Sequence, residues 1–594
     1  MASASGLAAG NGRRTAFSEE AKMLRTILLI LAAVSTIASG LPRAGAAEAL
    51  KQIPADALGF AVVPRLDSTT GKLGSLGKML GLPLPPALTG QKRLAGLSET
   101  DRSVAVALVG GPDNGKPVPV AIVPVKDFAE FTKALGAEAK SGAAEIQLPL
   151  GPIAARERRG FAFLVPADNQ AVLETAFGKP ASVLDRVGED RDWIEDRDIA
   201  LVITDTGLSM LCEKLSEGVA VAQQAIKQHG NDELDTAEIL GVYERVFVLV
   251  DEEVEVVAIG LDLQPSGDLK LQVRKRFASA GKLAECLKAS EPAGDFLAGM
   301  PDVPFVAAGG GVLNRAIADL MMQFSVEVMA AAPKLYGVSD REAARMLDVA
   351  GPILGRIQSM SMILAAGEPE DTLYSRMIVI LETDNARQYL EDYRKYLEEF
   401  SVVMKGSRGV FSAEIESSPV KVGGREGLEI SMAFPKQWMD QLPEGQAMLE
   451  KMIGPGGKIR AFLVPADEHR VVLGYTDTRL VDKALAVVEG KAAGLSEAES
   501  VRRAAAKLGK GSLGAGYVSP AGLIAFANGM FRAAASEGKK VVELPNFPQT
   551  PPIAWAVNAQ GTAVEAEAVV PAETLKAIVG YGPLVREALA PNAP

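Results

Sequence analysis

The chain has 594 residues, and 48% of them are hydrophobic, enough for several packed cores and too apolar for a mainly disordered protein. Acidic residues outnumber basic ones, 74 to 62, for a formal net charge of −12 with no basic block; the concentrated positive face that nucleic-acid binding needs is missing. Aromatic residues make up 5% of the chain, with 3 Trp, few for a carbohydrate or base-stacking platform.

Residues 1–22 are small and polar and read as an extension ahead of a start at Met23. Residues 23–47 have the layout of a secretory signal peptide: Arg25 for the positive end, an apolar run from Ile27 to Ala38, then the breakers Gly40 and Pro42. Ala44-Gly45-Ala46 offers a small-x-small cleavage site, and Gly45-Ala46-Ala47 is a one-residue alternative. The apolar run is shorter than the roughly 20 residues of a membrane span, and no later stretch is long enough. No Cys near the cleavage region suggests a lipid anchor. The expectation is a periplasmic or extracellular protein with no transmembrane span in the mature chain.

Behind the signal, two patterns alternate. The first is an apolar strand running into an amphipathic helix. It is expected at 59–63, 199–203, 305–308 and 514–518, with helix stripes such as Leu208, Leu211, Leu215 and Val219 after the second and Leu313, Ile317, Leu320 and Phe324 after the third. The second is a β-hairpin followed by a helix. It is expected at 104–125, 256–273, 360–381 and 553–570, with helices opening at Asp127, near Ser279, before Tyr389 and at Pro571. Phe163-Leu164-Val165-Pro166-Ala167-Asp168 recurs as Phe462-Leu463-Val464-Pro465-Ala466-Asp467, and each copy reads as strand, turn, strand. The same order of elements thus runs twice. The fold class is α+β, with two tandem duplicated halves, 48–298 and 299–594. Each half is an antiparallel sheet with amphipathic helices packed on one face. The connector is Pro292–Pro304; Pro83–Pro86 and Pro545–Pro552 are ordered surface loops.

Chemistry is scarce. Gly110 to Lys116 has the spacing of a phosphate-binding loop, but Pro117 stands where Ser or Thr is needed and a strand follows instead of a helix, so it reads as a hairpin loop. His229 and His469 are the only histidines; His229 suits a helix C-terminus and His469 falls in the second hairpin. Neither gives a catalytic pair or a metal site. Asp168 and Asp467 are the best-matched carboxylates: an acid/base pair if the halves meet around a twofold axis, turn-capping groups otherwise, and turn chemistry is favoured. Cys212 and Cys286, the only cysteines, form a candidate disulfide given export, or are small core residues. Tyr389, Tyr393 and Tyr396, and Met321, Met322 and Met329, are read as core rather than as an apolar ligand groove. No catalytic, cofactor-binding or metal residue is assigned.

The mature chain opens Ile53-Pro54-Ala55-Asp56-Ala57-Leu58-Gly59-Phe60-Ala61-Val62-Val63, with Arg65-Leu66-Asp67 and Met79-Leu80-Gly81-Leu82-Pro83 following. This resembles the starts of large secreted proteins of planctomycete-like bacteria. It is also similar to a bacterial envelope family of unknown function that opens on an LPAD-type strand start, with Ile53 in place of the family's Leu. The resemblance covers roughly residues 50–85, implies an envelope location and transfers no catalytic residue.

The reading is therefore an exported, non-enzymatic envelope protein that binds or scaffolds, its partner an envelope protein or an apolar ligand. The alternatives are a carrier of an apolar ligand such as a lipid, suggested by helix-covered sheets and a mean hydropathy of +0.14, and an enzyme with an unfamiliar carboxylate site.

Overall fold

The computed structural model describes residues 47–81, 102–111, 116–148, 151–175, 177–178, 181–229, 235–288, 294–332, 337–368, 371–406, 414–433, 454, 458–509, 511–534 and 543–589. Residues 23–46 of the expected signal, with Ala44 and Ala46, lie outside them, as do Pro83–Pro86 and residues 112–115 of the loop after Gly110. Ala47 opens the short helix Ala47–Leu50. The protein is α+β, its strands paired antiparallel. It forms two compact units: residues up to Met210 with Val256–Gly267, and Leu211–Glu255 with Asp268 onward.

In the first unit the strands are β1 (Gly59–Val63), β2 (Val104–Gly110), β3 (Pro117–Pro124), β4 (Ala143–Leu148), β5 (Gly151–Arg158), β6 (Phe161–Pro166), β7 (Ile199–Thr204) and β8 (Val254–Leu263). Their order across the sheet is β4-β5-β6-β3-β2-β1-β7-β8. All of β1 is buried, and so is β3 after its first residue. An uninterrupted apolar run in an antiparallel strand means that both faces are covered, which corrects the expected one-sided packing. Val172, Val187 and Ile194 cover one face, joined by Phe60 and Val120. Leu66, Phe128 and Phe131 cover the other, joined by Val106 and Val123. Asp127 caps the helix Phe128–Ala134 as expected, accepting from Glu130 N at 2.9 Å.

The second unit contains β9 (Leu269–Phe277), β10 (Phe305–Val312), β11 (Ile357–Ala365), β12 (Met377–Thr383), β13 (Glu414–Val422), β14 (Arg425–Ala433), β15 (Lys458–Pro465), β16 (Arg470–Tyr475), β17 (Gly514–Val518), β18 (Ile553–Gln560) and β19 (Ala563–Val570). Their order is β13-β14-β15-β16-β12-β11-β10-β17-β18-β19-β9. Again both faces are covered. Val481, Leu485 and Val501 lie over one, with Met300 and Leu297 of the expected connector fully packed into that core. The helices Asp340–Leu354 and Ala386–Gly406 lie over the other. The Pro545–Pro552 segment is ordered as expected: Asn528 holds Leu544 through both its amide atoms, Thr574 Oγ1 donates to Pro551 O, and Tyr581 donates to Pro545 O.

The recurring hexapeptide takes two different roles. The second copy is the expected hairpin, β15 turning into β16 with Leu463 opposite Leu473. The first copy is not: β6 runs into a 3-10 turn (Ala167–Asn169) and the helix Val172–Thr175, and β6 itself lies beside β3. The flanks decide. After Asp467 come Val471, Val472 and Tyr475, strand formers; after Asp168 come Ala171, Leu173 and Glu174, helix formers.

Each unit also has the same strand-to-helix joint. Thr204 closes β7; its Oγ1 accepts from Gly207 N at 3.3 Å, and its own N–H donates to Leu58 O. Ser519 follows β17; its Oγ accepts from Gly522 N at 3.1 Å, and its N–H donates to Val306 O. These are helix N-caps. At each glycine a Cβ would overlap a carbonyl oxygen of an adjacent segment, Leu58 O at Gly207 and Phe305 O at Gly522.

Candidate functional site

The helix Ala386–Gly406 carries two stripes. Tyr389, Tyr393, Tyr396 and Phe400 form one, with ring centroids 5.5 to 5.9 Å apart in succession. They pack against Val379, Leu428 and Leu463, so the rings are core, as the sequence favoured. Burial pushes the Tyr389 and Tyr393 hydroxyls well above their ordinary range. Arg387, Leu390, Glu391, Arg394 and Lys395 form the second stripe, spaced three and four apart on another face.

That charged stripe is one wall of an open groove of about 1460 Å³. The opposite wall is the end of the β13–β14 hairpin, Pro419 to Leu428. Gly423 and Gly424 form its turn with φ of 57° and 80°, the two positive values that a tight hairpin turn requires. The third side is the β15–β16 turn, with Pro465, Asp467 and Glu468.

Asp467 builds this turn. Its Oδ1 accepts from His469 N at 2.9 Å and Arg470 N at 2.7 Å, and its Oδ2 accepts from Arg470 Nε at 2.7 Å. Burial alone would raise its carboxyl; the Arg470 guanidinium and the two backbone N–H groups outweigh that and hold it below the usual carboxylate range. The turn is tied to both walls. Ala386 N donates to Glu468 O at 2.8 Å, and Arg425 Nη1 donates to Pro465 O at 3.4 Å. The His469 ring is exposed, and its Nδ1 donates to Asp384 O at 3.1 Å. Asp467 thus shapes the groove with its hydrogen-bonding capacity already engaged. Asp168 is exposed on the 3-10 turn after β6. His229 ends the helix Asp205–His229, where the sequence placed it.

The groove charges divide into engaged and open ones. Arg425 pairs with Glu489 at 2.9 Å, Arg394 with Glu398 at 3.4 Å and Lys395 with Asp392 at 3.5 Å. Arg387 and Glu391 on the helix wall, Lys421 and Glu426 on the hairpin wall, and Glu468 on the turn are exposed and make no ion pair among the described residues. Sequence reading missed this site because its three sides are separated by dozens of residues. The stripe at 387–395 was the one available signal.

Cys212 and Cys286 are buried thiols, not joined in the candidate disulfide. Burial pushes both up, with Asp251 adding at Cys212, and Glu253 and Glu285 at Cys286. No described helix is long and apolar enough to cross a membrane. Compared with protein-family models, with curated proteins and with solved structures, the chain has no match.

Proposed function

We propose that the protein is an exported, non-enzymatic component of the bacterial envelope that acts by binding, with the groove of the second unit as its binding face. The groove carries the reading: a paired hairpin, a packed helix and a hydrogen-bonded turn hold open charges of both signs around about 1460 Å³. Export rests on the layout of residues 23–47. Tandem duplication is supported by the shared run of strands around β1 and β10, by the paired Thr204/Gly207 and Ser519/Gly522 joints, and by a matching polar contact. In that contact Asp262 accepts from Asp198 N in one unit, and Asn558 accepts from Ser512 N in the other. For the lipid-carrier alternative, the tyrosine half of the candidate groove is packed, whereas Met321, expected in the core, is exposed.

Co-sedimentation with washed bacterial envelope fragments tests the binding reading. The full chain is expected in the pellet at low salt, with the double variant Arg387→Glu/Lys421→Glu shifted to the supernatant. Equal partition of both proteins would overturn it. Intact mass after expression in a secreting host tests export, with loss of the residues up to Ala46 or Ala47 expected.

A further inference from the structure

We infer that the groove takes an extended polypeptide segment carrying charges of both signs. The inference rests on the binding reading above and names the occupant. Small-molecule sites usually enclose about 300–1,000 Å³; this groove has about 1460 Å³ and is open, the shape for a length of polymer.

Charge selects the polymer. Each long wall presents one open cation and one open anion: Arg387 with Glu391, and Lys421 with Glu426. A polyanion would lie against Glu391, Glu426 and Glu468, and a polycation against Arg387 and Lys421. Like charges brought together without partners are strongly unfavourable, so both homopolymers are selected against. Leu390, Pro419 and Val420 also line the groove and suit the apolar stems and backbone of a peptide. Among the described residues the lining holds no Phe, Tyr or Trp, the faces on which a sugar polymer would stack.

The test uses three fluorescent peptides of about eight residues, roughly 26–29 Å when extended: alternating Lys and Glu, all Lys, and all Glu. Fluorescence anisotropy is read on the full chain. The alternating peptide is expected to bind about tenfold tighter than either homopolymer. Arg387→Glu/Lys421→Glu should cut that binding about tenfold with its melting curve unchanged. All four side chains are exposed, so the fold is expected to stay intact, and Glu391→Lys/Glu426→Lys serves as the opposite-sign check, with the same loss expected. A homopolymer that binds as well, or variants that bind as the parent does, would overturn the inference. If no peptide binds while the parent still pellets with envelope fragments, the peptide assignment falls and the binding reading stands. If the parent does not pellet either, both fall.

Discussion

The two units solve one connection problem at different lengths. In the first, the chain leaves β3, crosses the sheet through the seven-residue helix Phe128–Ala134 and returns as the three-strand meander β4-β5-β6. In the second, it leaves β12, crosses through the 21-residue helix Ala386–Gly406 and returns as the four-strand meander β13-β14-β15-β16. At roughly 4.8 Å between strands, one further strand widens the crossing by only about 5 Å, whereas the longer helix adds about 21 Å. The start of the long helix carries the charged stripe, and the extra strand of the second unit, the edge strand β13, supplies one side of the hairpin wall. On the binding reading proposed above, the groove belongs to the longer crossing of the second unit, and the strand-to-helix joints belong to what the units share.

The largest expected effect probes what agrees. Gly207→Ala and Gly522→Ala each force a Cβ into a backbone carbonyl, and each should cost about 4 kcal/mol or more. Single-Trp variants give each unit its own probe, Trp193 in the first and Trp555 in the second, with Trp438 replaced by Phe. Urea unfolding should show each glycine change lowering the midpoint of its own unit. A large loss at one joint and none at the other would break the equivalence.

Next come the crossing helices. Phe131 is fully buried and Tyr389 nearly so, and truncation of either to Ala should cost about 3–5 kcal/mol in the same assay. A much smaller loss at Tyr389 would mean that the ring stripe is a surface feature.

The smallest effect separates the two hexapeptide copies. Asp467→Asn should cost about 1 kcal/mol through weakened turn hydrogen bonds at a partly exposed site, and Asp168→Asn less than about 0.5 kcal/mol. The Asp467 carboxyl is held below its unfolded value. Its contribution is therefore full above the unfolded carboxylate value near about 3.9 and is lost as the pH falls through the lower folded one. The difference between parent and Asp467→Asn should disappear in acid. A difference that persists at pH 2 would contradict the turn-holding role.

The sequence reading recovered the strand-to-helix order and every strand except β4, β5, β13 and β14, because long apolar runs and helix stripes are local signals. It failed where context decides. Phe163 to Asp168 and Phe462 to Asp467 are identical, yet their flanks send one into helix and the other into strand. β13 escaped notice because Glu414, Glu416, Ser417, Ser418 and Pro419 lack strand character; it lies at the edge of the sheet order, paired only with β14 among the described strands, where polar residues and Pro discourage further pairing. The groove needed residues 387, 421 and 468 brought together, which periodicity within any one segment does not reveal.

Hydrogen–deuterium exchange on the full chain, with and without the alternating Lys/Glu peptide, tests the central claim most directly. Protection is expected at 385–395, 419–428 and 465–468, with the crossing helix and meander of the first unit unchanged. Equal protection in both units, or none at these three segments under saturating peptide, would contradict the assignment of binding to the longer crossing.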